Sequence, residues 1–232
     1  MDTQLRVLKN FYNLSSFPIF AGYLLILPVS LIWVRLVPKI HLKWTLVIYN
    51  IVCVLISIVC TVIGFKEFLT EGSVFELVEV RGLLKQIYYL YFLSKILELL
   101  DTVFMVLRHN LHQMSFLHIF HHSTMVLLGD YSYSLSPWKP MSIVIFMNSF
   151  VHIWMYSYYA ISVVKKVDNS WKRVITHLQL VQFVICLTFS IPGYMYHGFC
   201  VYSVLYPLSM ILLFGNFYYH AFVKKRHRIK RD

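Results

Sequence analysis

Three histidines stand at positions 118, 121 and 122 of this 232-residue chain. At about 100° of helical turn per residue, that spacing points the three rings into about a 100° arc of one helix face. Imidazole changes charge near neutral pH, so such a stripe can act as a base, a nucleophile or a metal ligand. A single buried histidine is ordinarily a hydrogen-bonded core residue, whereas three on one stripe argue for chemistry. Upstream, Lys95, Glu98 and Asp101 fall within about a 120° arc that also holds Thr102, which suits either a site or a structural ion-pair network. Downstream, Asn148, His152, Tyr156 and Tyr159 recur at helical spacing, with Met155 and Tyr158 beside them as packing residues. Thr176, Gln179 and Gln182 follow at three-residue steps, as site support or as amides holding helices together. His220 reads as an interfacial residue.

The elements that carry these residues are apolar. Hydrophobic residues make up 59% of the chain and its mean hydropathy is +0.65, beyond the range of an ordinary soluble domain. Lys and Arg outnumber Asp and Glu by 21 to 10. That excess suits anionic lipid headgroups or an anionic substrate, and the apolarity argues against a nucleic-acid partner. An ionisable side chain near the centre of a membrane helix costs about 2.5–3.5 kcal/mol, so Lys95, Glu98, Asp101 and the histidines should face a bundle interior. Cys53, Cys60, Cys186 and Cys200 show no metal-ligand spacing and read as mostly unbridged thiols.

Apolar stretches of bilayer length run over 17–37, 44–64, 87–107, 141–163, 174–195 and 199–223. The first lacks a small-residue cleavage site and is expected to stay as a transmembrane helix. A further span over 115–135 is interrupted by the three histidines and Asp130. Including it places loops 35–43, 108–112 and 164–173 and the tail from Lys224 on one side, with three, one, four and six basic residues, or 14 of the 21. By the positive-inside rule that side is cytosolic and the N-terminus lumenal or external. Arg6, Lys9, Lys66, Arg81, Lys85 and Lys139 lie opposite, beside Glu67, Glu71, Glu76 and Glu79. The Asn13-Leu14-Ser15 sequon falls on the lumenal side, and Arg228 and Lys230, five and three places from the end, resemble a retrieval signal for the endoplasmic reticulum or are membrane-flanking basic residues attracted to anionic lipid. The expected fold is therefore an all-α integral membrane protein of seven transmembrane helices. It is one domain over 1–232 with a basic cytosolic tail at 224–232. Four consecutive helices carry polar stripes that should converge on an enclosed cavity, while the first two and the last are almost wholly apolar.

Three chemistries compete for that cavity. The His-x-x-His-His box invites comparison with membrane di-iron enzymes, but those use several boxes, and here only His152 is added within the spans. A single metal held by His118, His121, His122 and His152 stays open. No cysteine lies among the stripes to act as a nucleophile, and Ser123 points elsewhere on its helix, so an imidazole is the remaining candidate. A receptor would suit the topology without needing the histidines, and a transporter or proton channel would use them with Lys95, Glu98 and Asp101 as a relay.

Lys95-x-x-Glu98-x-x-Asp101-Thr102, His118-x-x-His121-His122, Asn148-x-x-x-His152-x-x-Met155-Tyr156-x-Tyr158-Tyr159 and Thr176-x-x-Gln179-x-x-Gln182 resemble, complete and in order, the four signature motifs of the ELO family of very-long-chain fatty-acid elongases. The resemblance implies a multi-pass 3-ketoacyl-CoA synthase of the endoplasmic reticulum membrane. It would condense a long-chain acyl-CoA with malonyl-CoA, releasing carbon dioxide and CoA, with no cofactor and no metal. It implies His121 as the nucleophile that becomes an acyl-imidazole, His152 and His122 in polarisation or proton handling, and His118, Asn148 and the Glu98–Asp101 face in orienting or neutralising the site. Lys95, Thr102, Tyr156, Tyr159, Gln179 and Gln182 would support the site or bind substrate. Arg108, Lys165, Lys166, Lys172 and Arg173 would draw in the CoA phosphates. The implied partners are membrane lipid and the ketoreductase, dehydratase and enoyl reductase of the elongation cycle, with homo-oligomerisation left open. Residues 121–128 and 156–160 resemble the branch acting on saturated and monounsaturated chains, and Gln113 the polyunsaturated branch. With no cysteine in the 65–86 loop, a disulfide to the Cys200 region is not expected.

Overall fold

The computed structural model of the protein describes residues 10–69 and 74–224. Among them the chain is helical, apart from an isolated antiparallel bridge between Glu79 and Trp138. Arg6, Lys9, Glu71 and the basic tail beyond Lys224, with its retrieval-like residues, lie outside the described residues.

The first apolar stretch is not one straight span. It forms α1 (Phe17–Leu24) and α2 (Ile26–Leu36), bent by 43°. Pro28 supplies the cause, since it has no N–H to give and its ring crowds the carbonyl four residues back, at Leu24. Helix α3 runs Lys43–Phe68. The third stretch is also broken, into α4 (Gly82–Leu97) and α5 (Leu100–Leu107). At that break Leu99 N–H bonds to the Ile96 carbonyl and Asp101 N–H to the Glu98 carbonyl, three residues back rather than four. Lys95 falls in the last turn of α4 and Asp101 in the first turn of α5, where each charge complements its helix dipole. Helix α5 closes on His109, whose φ of 57° is left-handed. Asn110 N–H then reaches the Met105 carbonyl and His109 N–H the Val106 carbonyl, a pattern usually closed by glycine.

Helix α6 (Phe116–Ser134) carries the three histidines and starts at an extended Ser115, whose side chain accepts the His118 N–H. Helices α7 (Met141–Val164), α8 (Asn169–Tyr196) and α9 (Tyr202–Tyr218) follow, the last running into a π-helical turn at Tyr219–Lys224. Among the described helices, α3 and α8 are long and apolar enough to cross a membrane, and the bent pair α1–α2 makes a third if it is one span. The other stretches are shorter, broken, or diluted by the polar side chains they carry.

Two compact units result. In one, formed up to Leu46 and by Val78–Met141, α6 packs on α4 and α1, and α2 packs on α5. Tyr23, Phe92, Leu99, Ile119 and Val126 form its buried cluster. The segments flanking α4 and α6 are tied by Val80 N–H to the Pro137 carbonyl and Lys139 N–H to the Val78 carbonyl. Tyr88 adds its hydroxyl to the Trp138 carbonyl at 2.9 Å.

In the other unit, Val47–Leu77 with the chain from Ser142, α8 and α9 lie along one another. Gly64 permits close approach of α3 to α7, since a Cβ there would stand 3.2 Å from the Phe146 backbone. No disulfide joins the four cysteines. Phe75, after α3, is instead held by aromatic contacts: it stacks 4.7 Å from both the Phe189 and His197 rings, and Phe199 is tilted against Phe189 at 5.7 Å.

Candidate active site

Thr102, fully buried at the start of α5, is the hub of the first unit's polar residues. Its hydroxyl oxygen lies 2.8 Å from His118 Nε2 and 2.7 Å from the Tyr23 hydroxyl of α1. The Ser115 cap sets the first turn of α6, and hence the height of His118 on that helix. From there the i, i+4 relation brings the His118 and His122 rings to 4.3 Å, and His121 meets His122 edge-on at 5.5 Å. His122 is buried and His121 half-buried.

At the end of α4, Lys95 donates to Glu98 Oε1 at 2.8 Å, both side chains being almost wholly buried. The Lys95 ammonium also sits over the Tyr91 ring, 4.6 Å from its centre. Sequence spacing placed Lys95, Glu98 and Asp101 on one continuous helix face; they instead straddle the break between α4 and α5, with Asp101 half-buried. Ser123 is turned from the stripe, donating to the Phe120 carbonyl of its own helix.

In the second unit, α7 holds Asn148 and His152 one turn apart, with the Asn148 amide nitrogen 3.4 Å from His152 Nε2. An amide nitrogen only donates, so neutral His152 carries its proton on Nδ1 in this contact. The His152 ring meets Tyr156, which is fully buried and packs edge-on against Tyr49 and Tyr159. Tyr159 itself is 39% exposed, at the margin of this group. On α8, Gln182 and Thr176 are buried, the Thr176 hydroxyl serving the Lys172 carbonyl, and Gln179 reaches the Met155 sulfur at 3.7 Å. Arg173, among the basic loop residues, has its guanidinium 5.6 Å from the Phe222 ring centre.

Two contributors lie outside the sequence-derived stripes. Tyr23 belongs to a helix expected to be almost wholly apolar, and Asn50 on α3 is likewise buried, so the first two apolar stretches are less inert than their hydropathy implies. Asp130, counted from sequence only as an interruption of a span, is buried and accepts from Ser16 N–H at 2.8 Å, Ser15 at 2.9 Å and Ser134 at 2.6 Å. Ser15 is the hydroxyl residue of the Asn13 sequon. Among the described residues, no three His, Cys, Asp or Glu side chains gather into a set that could hold a metal ion. The arrangement is one of imidazoles ordered by hydroxyl and ring contacts, fit for proton transfer or nucleophilic attack.

The model of the GNS1/SUR4 family matches residues 11–230, nearly the whole chain. The chain belongs to the ELO family. Similar ELO-family proteins include very long chain fatty acid elongase 5 of Tachysurus fulvidraco, 36% identical over 152 residues, covering 61% of this chain and 51% of that protein. Very long chain fatty acid elongase 2 of Mus musculus is 37% identical over 145 residues, covering 58% of this chain and 49% of that protein. Very long chain fatty acid elongase 5 of Homo sapiens is 30% identical over 227 residues, covering 90% of this chain and 75% of that protein. The chain thus spans about half the length of the first two relatives and three quarters of the third.

Proposed function

We propose that this ELO-family chain is a fatty-acid elongase of the 3-oxoacyl-CoA synthase type, an acyltransferase that condenses a long-chain acyl-CoA with malonyl-CoA. The supporting observation is the ordered imidazole cluster, in which Thr102 engages His118 and the His118, His122 and His121 rings follow in contact, within a family whose named relatives are fatty acid elongases.

In this reading an imidazole nitrogen of His121 attacks the thioester carbonyl of acyl-CoA. The C–S bond breaks, the imidazole proton passes to the departing thiolate, and neutral acyl-imidazole and CoA remain. Malonyl-CoA then loses carbon dioxide, and the electron pair of the broken C–C bond becomes an enolate. The enolate carbon attacks the acyl carbon, and the imidazole leaves, taking up one proton. The balance is acyl-CoA, malonyl-CoA and a proton giving 3-ketoacyl-CoA, carbon dioxide and CoA. His152 and His122 handle protons or polarise the carbonyl, while His118, Asn148 and the Glu98–Asp101 face orient the site. Lys95 offsets Glu98 inside the apolar unit. Thr102, Tyr156, Tyr159, Gln179 and Gln182 support the histidines or the substrate, and the loop residues Arg108, Lys165, Lys166, Lys172 and Arg173 attract the CoA phosphates.

The same proposal takes the helices as one seven-span domain in the endoplasmic reticulum membrane, N-terminus lumenal and tail cytosolic. No cofactor is required, and the reductases and dehydratase of the elongation cycle act on the product. The test is purified protein with acyl-CoAs of graded length, malonyl-CoA and a chelator. A 3-ketoacyl-CoA two carbons longer is expected, with one carbon dioxide and one CoA per turnover. No product at any length, or activity lost to the chelator, contradicts the proposal.

A further inference from the structure

Tyr23 lies outside all four motifs, yet its hydroxyl sits 2.7 Å from Thr102 Oγ1, which in turn lies 2.8 Å from His118 Nε2. Tyr23 and Thr102 are both buried, so the direction of this chain follows from counting hydrogens. Were Thr102 to donate to the phenol, the phenolic hydrogen would have no acceptor among the described residues, a buried unsatisfied donor. If Tyr23 donates to Thr102 and Thr102 donates to His118 Nε2, every hydrogen in the chain is used. An aromatic hydroxyl is also the better donor of the two, and the threonine hydroxyl the better acceptor. With Nε2 accepting, neutral His118 carries its proton on Nδ1.

We propose that Tyr23 is a positioning residue of the active site, which through Thr102 fixes His118 as its Nδ1–H tautomer. His118 then has its Nε2 lone pair engaged and keeps Nδ1–H as a donor, while its ring braces His122 at 4.3 Å. It is not the base of the cluster; proton uptake there falls to His121 and His122. The role in turnover rests on the condensing activity proposed above, but the tautomer does not.

The experiment is nitrogen-15 spectroscopy of histidine-labelled full-length protein in lipid nanodiscs, the His118 signals being assigned by their loss in His118→Asn. The expected spectrum has a non-protonated, hydrogen-bonded Nε2 and a protonated Nδ1. Tyr23→Phe should allow Thr102 to turn and the Nε2–H form to appear, with kcat about five- to tenfold lower and KM for acyl-CoA unchanged. Thr102→Ser should keep the wild-type signals and Thr102→Val lose them, and this pair decides the matter if Tyr23→Phe does not fold. A protonated Nε2 in the wild type, or signals indifferent to Tyr23→Phe and Thr102→Val, overturns the inference. The expected spectrum in a protein that makes no 3-ketoacyl-CoA would leave the relay standing and defeat the proposed function.

Discussion

The backbone N–H of Ser16 donates to the Asp130 carboxylate across 2.8 Å, joining residues 114 apart in the chain. Ser15 and Ser134 add their hydroxyls, so an acid with 1% of its surface exposed is held by three donors. The contact ties the residues before α1 to the helix that carries the histidines, and Tyr23 follows on that same α1. Phe11 stacks on Tyr131 at 5.2 Å beside it.

Removing the acceptor should therefore loosen the first unit. Asp130→Ala leaves the Ser16 N–H buried and unpaired and is expected to cost about 2–4 kcal/mol, whereas Asp130→Asn, which keeps one carbonyl oxygen, should cost about 1 kcal/mol. Thermal unfolding in detergent measures both. Equal midpoints for the two variants would show that the carboxylate is not an anchor.

The Lys95–Glu98 pair is buried on both sides, and breaking a buried pair costs more than deleting it. Lys95→Met and Glu98→Gln are each expected to destabilise by about 3–5 kcal/mol, and the double variant to recover part of that loss. If the double variant is as unstable as the sum of its parents, the two side chains act independently.

How much of this was legible without coordinates differs by element. The span expected over 115–135 follows from the distribution of basic residues among the loops and matches the helix Phe116–Ser134, while its histidine stripe follows from spacing, as does the one-turn separation of Asn148 and His152. The bend between α1 and α2 was available in Pro28 but was outweighed by uninterrupted apolarity on either side. The break after Leu97 has no proline or glycine to announce it, and only the dipole-matched placement of Lys95 and Asp101 agrees with it. Tyr23 was invisible for a different reason: one tyrosine in an apolar helix reads as packing, and its role depends on a threonine 79 residues away. Asp130 gave a signal, an acid in an apolar stretch, but its partners Ser15 and Ser16 lie far off in sequence.

In the last turn of α8, a Cβ on Gly193 would run into the Phe199 ring. Gly193→Ala is expected to lower stability by about 1–3 kcal/mol by forcing that ring from its tilted contact with Phe189. In the background of Phe199→Ala the same substitution should cost little. A double-mutant cycle read by thermal unfolding checks this, and additive effects would mean that the ring does not set the requirement for glycine.

Ser115 caps the helix that presents His118. Ser115→Ala should cost about 1 kcal/mol, and Ser115→Asp, a comparably good cap, should not. Turnover should follow the same order as stability, because the first turn of α6 carries His118. A variant with full stability and no activity would point to a direct role for the hydroxyl.

The most direct test of the central claim is mass spectrometry of the protein incubated with acyl-CoA alone, malonyl-CoA being withheld. One equivalent of CoA should be released, with one acyl group on the peptide carrying His121, discharged on adding malonyl-CoA and absent in His121→Ala. An acyl group on another residue, or normal 3-ketoacyl-CoA formation by His121→Ala, would contradict the account.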